Sequence, residues 1–230
     1  MATRSLCRVD PAIGATHAVE DYLKAIYALQ TRLGGPVSTN ALAERLGVTA
    51  GSASGMVRRL AELGLCCHEP YRGVQLTEEG RRVALRTLRH HRLLELMLVE
   101  DFDVPWEDVH REAEQLEHAL SDELAERIAA KLGHPTVDPH GDPIPGPDLS
   151  LTEARTRSVG DLAPGERATF TRVSDADPDM LRYLAARGIV PGVILTMVGR
   201  EPFGGPLTLR VGDRDHHLGL SLASAMRVGG

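Results

Sequence analysis

The stretch Ser38-Thr39-Asn40-Ala41-Leu42-Ala43-Glu44-Arg45-Leu46-Gly47-Val48-Thr49-Ala50-Gly51-Ser52-Ala53-Ser54-Gly55-Met56-Val57-Arg58-Arg59-Leu60 decides how the N-terminal half folds. Ser38 or Thr39 can cap a short helix over 40–46 that ends at Gly47. Thr49 caps a second helix, on which Val57, Leu60 and Leu63 recur at helical spacing until Gly64. Two helices joined by so tight a turn form a helix-turn-helix. Upstream, Val19, Tyr22, Leu23, Ile26, Tyr27 and Leu29 predict a helix over His17–Leu33, stopped by Gly34-Gly35-Pro36. Downstream, 65–69 and 74–76 read as short strands around the turn Pro70-Tyr71-Arg72-Gly73, which makes a β-hairpin wing.

A helix-turn-helix presents its second helix to the major groove. Small residues let that helix sit deep, so Thr49, Ser52 and Ser54 are candidate contacts to bases or phosphates, with Ser38 and Thr39 at the start of the preceding helix. Arg58 and Arg59, a turn further on, suit phosphate, and Tyr71 and Arg72 at the wing tip suit the flanking backbone. The charge distribution agrees. Residues 1–92 hold 13 Lys/Arg against 8 Asp/Glu, whereas 93–230 hold 13 against 24, within a net charge of −6. One half suits a polyanion and the other suits cations. The bland alternative is a winged helix serving only as a protein-interaction module.

Thr77 caps a long helix running to about Glu100, Pro105 opens another from Trp106 to about Leu120, and Ser121 or Asp122 caps a third that ends at Leu132-Gly133. On the first, His91 and Glu95 stand at i and i+4. On the second, His110, Glu114, Glu117 and His118 follow offsets 0, +4, +7 and +8, one stripe of a helix. Burying such a stripe is costly unless a cation meets it. Imidazole and carboxylate on paired helices are a common way to hold a divalent metal. Together with Asp21 on the first helix, these residues form the candidate metal cluster. His90 falls about 100° off the His91–Glu95 face, given 3.6 residues per turn, and is expected to be exposed. Glu100 and Glu112 read as surface charge, and His68, His216 and His217 lie outside the cluster.

Between His134 and Asp148, Pro135, Pro139, Pro143, Pro145 and Pro147 exclude regular structure and predict an extended tether. From Ser158 onward, 168–173, 193–198 and 207–211 read as strands and 178–187 as a helix, the pattern of a small β-barrel. The organisation expected is thus 1–76 winged helix-turn-helix, 77–133 helical domain, 134–157 linker and 158–230 β domain. With 42% hydrophobic and 25% charged residues, 230 residues suffice for such units. No apolar run approaches the roughly 18 residues of a membrane span, and the N-terminus lacks the apolar stretch of a secretory signal, so a cytoplasmic protein is expected. Cys7, Cys66 and Cys67 offer no CxxC spacing and read as reduced thiols.

Several stretches together resemble the diphtheria toxin repressor family of metal-dependent regulators, over nearly the whole chain. They are Ala18–Tyr27, Leu42–Leu46, His91–Glu95, Val109–His118 and Asp138-Pro139-His140-Gly141-Asp142-Pro143-Ile144-Pro145-Gly146. The resemblance implies a mainly α protein with a small β domain: a winged helix, a helical dimerisation and metal domain, and a C-terminal SH3-like domain. It implies an ancillary metal site at His91, Glu95 and His110, often completed from the SH3-like domain. By position the completing residues would be Asp177 and Met180, with Asp175 and Asp179 as close competitors. It implies a primary site at Asp21, Glu114, Glu117 and His118. Iron-type members carry methionine and cysteine where Asp21 and Glu114 stand; manganese-type members carry these acids. Lys24 departs from a glutamate found in some manganese-type members.

An oxygen-rich shell suits Mn²⁺, and softer donors suit later metals of the series. The expected function is a Mn²⁺-activated homodimeric repressor on palindromic operator DNA, with no membrane partner and no small organic substrate. Fe²⁺ is the alternative cofactor, in an iron-responsive repressor of the same architecture, and Co²⁺, Ni²⁺, Zn²⁺ or Cd²⁺ would serve as surrogates in vitro. A metal-independent winged-helix regulator is the distant alternative. A metallohydrolase would need a general base and an open coordination position beside a cleft, and no HExxH, GxSxG or P-loop motif is present, so no enzyme is expected.

Overall fold

The helix-turn-helix forms from its own caps. In the computed structural model, which describes residues 16–69 and 72–229, Ser38 Oγ accepts the Ala41 N–H at the start of α2 (Thr39–Leu46). Thr49 Oγ1 accepts the Ser52 N–H at the start of α3 (Ala50–Glu62). Gly47 takes the left-handed conformation between them (φ 64°), which a side chain would strain. The chain divides into two units, Met1–Arg89 and His90–Gly230. In the first, α1 (His17–Leu33) buries Val19, Leu23, Ile26 and Leu29 against Leu42, Ala53, Val57 and Leu60. Strands β1 (Cys66–Glu69) and β2 (Gly73–Leu76) pair antiparallel with Cys66 opposite Leu76, forming the wing. Cys66 is buried with its thiol near the Val57 carbonyl, and burial followed by the neighbouring Cys67 pushes its pKa up to about 11; Cys67 is exposed. Tyr71 and Cys7 lie outside the described residues.

Helix α4 (Glu78–Phe102) begins in the first unit and ends in the second. There, α5 (Val109–Leu116) and α6 (Asp122–Lys131) close over Leu93, Leu94, Ala113, Ala125 and Ile128. The helix expected over Trp106–Leu120 is shorter at both ends. The Trp106 carbonyl accepts from His140 Nε2 instead of a helical amide, and 117–119 tighten into a turn with the Ala119 N–H on the Leu116 carbonyl. The remaining chain forms one antiparallel six-stranded sheet in the order β3-β8-β4-β5-β6-β7. Its strands are β3 (Arg157–Ser158), β4 (Arg167–Val173), β5 (Ile194–Arg200), β6 (Leu207–Val211), β7 (Arg214–Leu218) and β8 (Met226–Gly229). Bulges after Phe170 and Met197 bend it around Phe170, Leu195, Leu209, Leu218 and Val228. Helices α7 (Pro178–Ala185) and α8 (Leu220–Ala225) complete this SH3-like part. No helix among the described residues is long and apolar enough to cross a membrane.

The proline-rich segment corrects one expectation. Prolines keep it out of helix and ladder, yet its first half is no tether, because Asp138, His140, Asp142 and Ile144 are buried. Asp138 Oδ1 accepts the backbone N–H groups of both His140 and Asp142 at 2.9 Å, folding the loop onto itself. The Val173 N–H then donates to the His140 carbonyl, seating the loop on β4. Gly141 makes the seat possible: its φ is 87°, and a Cβ there would stand 1.8 Å from the Thr171 carbonyl oxygen. Gly141→Ala is therefore expected to destabilise the second unit by at least about 2 kcal/mol. Denaturant unfolding checks this, and an unchanged midpoint would refute the seating.

Candidate metal centre

One turn of α4 puts His91 and Glu95 on the same side, both buried. Helix α5 adds His110, and the turn after β4 adds Asp175. One donor atom from each of these four residues lies within 4.8 Å of every other. His91 Nε2 is 2.9 Å from Glu95 Oε1 and 3.1 Å from His110 Nδ1. His110 Nδ1 is 3.3 Å from Glu95 Oε1 and 2.9 Å from Asp175 Oδ2. The two imidazoles meet edge to face, with centroids 4.9 Å apart.

On its far side, His91 Nδ1 is 2.5 Å from Glu117 Oε2. For a metal-bound His91, a carboxylate there accepts the Nδ1 hydrogen and leaves the Nε2 lone pair for the ion, the usual support of a metal-binding histidine. Two imidazole nitrogens and two carboxylate oxygens fit a first-row divalent ion.

Electrostatics explain how the donors coexist without a metal. Burial works against charge on His110, but its hydrogen bonds to the carboxylates of Asp175, then Glu114 and Glu95, push its pKa up to about 12. Burial also works against charge on Glu95, yet the charge of His91 and hydrogen bonds from His110 and His91 hold it at about 2. Asp175 is likewise held well below the carboxylate range, its burial outweighed by His110. The metal-free cluster is thus an ion-pair knot in which a protonated His110 supplies positive charge.

The structure treats the other expected residues differently. Glu114 is exposed, with Oε1 3.5 Å from His110 Nε2. Glu117 sits just beyond the end of α5 and is buried between His91 and His118, whose Nε2 is 3.6 Å from Glu117 Oε1. Asp21 stands on α1 in the first unit. Of the acids in 174–180, the His/Glu/Asp cluster takes Asp175 and not Asp177. The Asp177 carboxylate caps α7, accepting the Asp179 and Met180 N–H groups, and Asp179 pairs with Arg182. Asp-Pro is itself a capping signal, and it could have pointed to Asp175 instead.

His90, expected to be exposed, is buried; its Nε2 is 3.0 Å from Asp122 Oδ1 and its Nδ1 is 3.3 Å from the Glu117 carbonyl. Among the DNA candidates, Ser38 and Thr49 spend their hydroxyl oxygens on caps and Thr39 is half-buried. Ser52, Arg58, Arg59 and Arg72 are exposed and Ser54 is partly so. Ser52 Oγ lies 2.9 Å from Thr49 Oγ1, and Arg72 pairs with Glu69.

A winged helix joined to a helical unit bearing a half-buried His/Glu/Asp cluster defines the class of metal-dependent DNA-binding regulators. The chain belongs to the iron-dependent repressor family, which includes diphtheria toxin repressor. Residues 15–74 match its N-terminal DNA binding domain, 77–146 its metal binding and dimerisation domain, and 157–229 the FeoA domain. The iron-dependent repressor IdeR of Mycobacterium leprae is 33% identical over 222 residues, covering 91% of this chain and 95% of that protein. Diphtheria toxin repressor of Corynebacterium jeikeium is 36% identical over 205 residues, covering 79% and 85%. Among solved structures, a manganese-dependent transcriptional repressor in complex with manganese is 45% identical with a TM-score of 0.84, covering 91% of this chain and 98% of that one. ScaR with bound Zn²⁺ is 29% identical with a TM-score of 0.76, covering 92% and 98%.

The pKa shifts fix a pH profile for the metal-free protein. His110 is raised, so its stabilisation is complete below about pH 6.5 and fades as pH rises toward 12. Glu95 is lowered, so its stabilisation is complete above about pH 4.5 and is lost as pH falls toward 2. Thermal melts of chelator-treated protein should therefore peak between those limits, with Asp175→Asn flattening the alkaline limb. A variant profile parallel to wild type would contradict this account.

Proposed function

We propose that this chain is a Mn²⁺-activated homodimeric repressor that binds palindromic operator DNA and controls manganese uptake and homeostasis genes. The observation that carries the choice of metal is the donor chemistry. The expected regulatory residues Asp21, Glu114, Glu117 and His118 supply three carboxylates and an imidazole, with no sulfur among them. The 45% identity to a manganese-dependent repressor solved with manganese supports the same reading. Iron-dependent repressors at 32–33% identity favour Fe²⁺ as the second reading.

In this reading His91, Glu95, His110 and Asp175 hold an ancillary ion, while Asp21, Glu114, Glu117 and His118 hold the regulatory one. The ion supplies positive charge that lets the four regulatory donors share a site. Asp21 belongs to the helix preceding the helix-turn-helix, and its three partners belong to the dimerisation region. Their shared ligation ties the reading head to the dimer. Without it, the carboxylates repel and the two heads of a dimer sample many spacings. Half-sites lie about one helical turn of DNA apart, or a multiple of it, so ordering the heads raises operator affinity. A repressor of chromosomal genes acts in the cytoplasm.

Two measurements test the proposal. Mobility-shift titrations should show operator affinity rising with added Mn²⁺, and no rise would refute activation. Asp21→Met should move the preference from Mn²⁺ toward Fe²⁺ or its Co²⁺ surrogate, and an unchanged order would refute the role given to the oxygen donors. Zn²⁺, Cd²⁺ and Ni²⁺ serve as further in vitro surrogates in the same assay.

A further inference from the structure

The β5–β6 hairpin carries an apolar knob at one end and a groove at the other. At its tip the Gly205 N–H donates to the Pro202 carbonyl at 3.2 Å, and the two residues inside that turn, Phe203 and Gly204, are both left-handed (φ 58° and 76°). Such a turn favours asparagine, aspartate or glycine at its first central position. Phenylalanine occupies it here, in a conformation that strains a side chain, and its ring is fully exposed. The ring takes no part in the apolar core of the SH3-like domain.

At the open end of the same hairpin, Arg167, Val193, Ile194, Thr196 and Val211 line a groove of about 420 Å³. Strand β5 turns Leu195 and Met197 inward, which leaves Ile194 and Val198 exposed on its outer face. Single exposed apolar residues are ordinary, but Ile194, Val198 and Phe203 follow one another along one hairpin from groove to tip. Charge has the same polarity. Glu201, two residues before Phe203, has no ion-pair partner among the described residues, and neither has Arg167 at the groove. Arg210, the other guanidinium at the groove, is held by Asp215 at 2.6 and 3.0 Å.

We propose that this hairpin is a self-association surface: two copies of the chain lay their β5–β6 outer faces together, antiparallel, and Phe203 of each enters the groove of the other. Strand β5, seven residues long, separates the two features, which is about 20 Å of extended chain. A two-fold pairing matches that spacing to itself, because knob to groove in one copy runs alongside groove to knob in the other. The same pairing brings Glu201 of each copy to Arg167 of the other. A ring fixed in advance by a tight turn loses little freedom on docking, and aromatic side chains carry much of the energy of interfaces. Residues 77–146 match a dimerisation domain, so a two-fold contact made by a different part of the chain joins one dimer to another unless the two axes coincide. The product is a pair of dimers able to hold two stretches of DNA at once.

Sedimentation of the full chain with Mn²⁺, over a series of protein concentrations, tests the surface. The mass should climb from its value at high dilution toward twice that value. Phe203→Asn removes the ring and suits the turn better than phenylalanine, so it does not threaten the fold. It should move the transition to roughly tenfold higher concentration or beyond, as loss of an interface anchor does. Glu201→Arg and Arg167→Glu should each weaken the pairing, and the two changes together should restore it. A wild-type mass independent of concentration overturns the inference, as does an unchanged transition in Phe203→Asn. A double charge swap weaker than either single change overturns the antiparallel arrangement. The Mn²⁺ reading is decided separately, by operator affinity at concentrations below the transition.

Discussion

Glu95 is a buried carboxylate facing three imidazoles, and the second unit is arranged around keeping its charge satisfied. A lone carboxylate in the interior would cost several kcal/mol or give up its ionisation. Here His91 and His110 hold one oxygen, and the other faces His140. These histidines come from α4, from α5 and from the loop that continues toward the β domain. One charge therefore makes demands on three separate pieces of chain. The close seat of Gly141 on β4 and the Glu117 carboxylate behind His91 hold two of these imidazoles in place.

Much of the architecture was legible because it is local. Helix α1 spans His17–Leu33 as its apolar spacing and Gly34 indicate, and Thr49 caps α3 as its position suggests. Capping and turn chemistry act over four or five residues, so one stretch of sequence contains both partners. The misreadings occur where a distant partner decides. His90 looks exposed by helical phase, yet Asp122 and the Glu117 carbonyl bury it. The prolines of 135–147 rule out regular structure correctly, but they say nothing of burial, which Ile144 and His140 supply by packing onto other elements.

The cluster was legible in part for the same reason. His91 with Glu95 and His110 with Glu114 are visible as helical pairs. Asp175 is not, since nothing in 174–180 separates its carboxylate from those of Asp177 and Asp179 except the capping role of the Asp-Pro step. The stripe from His110 to His118 continues past Leu116, where the α5 hydrogen bonding ends, because a tight turn keeps a periodicity close enough to pass for helix.

The protonated state of His110 has a consequence for sensing itself. On the metal reading proposed above, the proton on that ring takes the place of part of an ion's charge, so loading the ancillary cluster would be an exchange of proton for metal. A sensor built this way does not read metal concentration alone. It reads the ratio of free metal to acidity, and its threshold shifts toward more metal as the surroundings become more acidic.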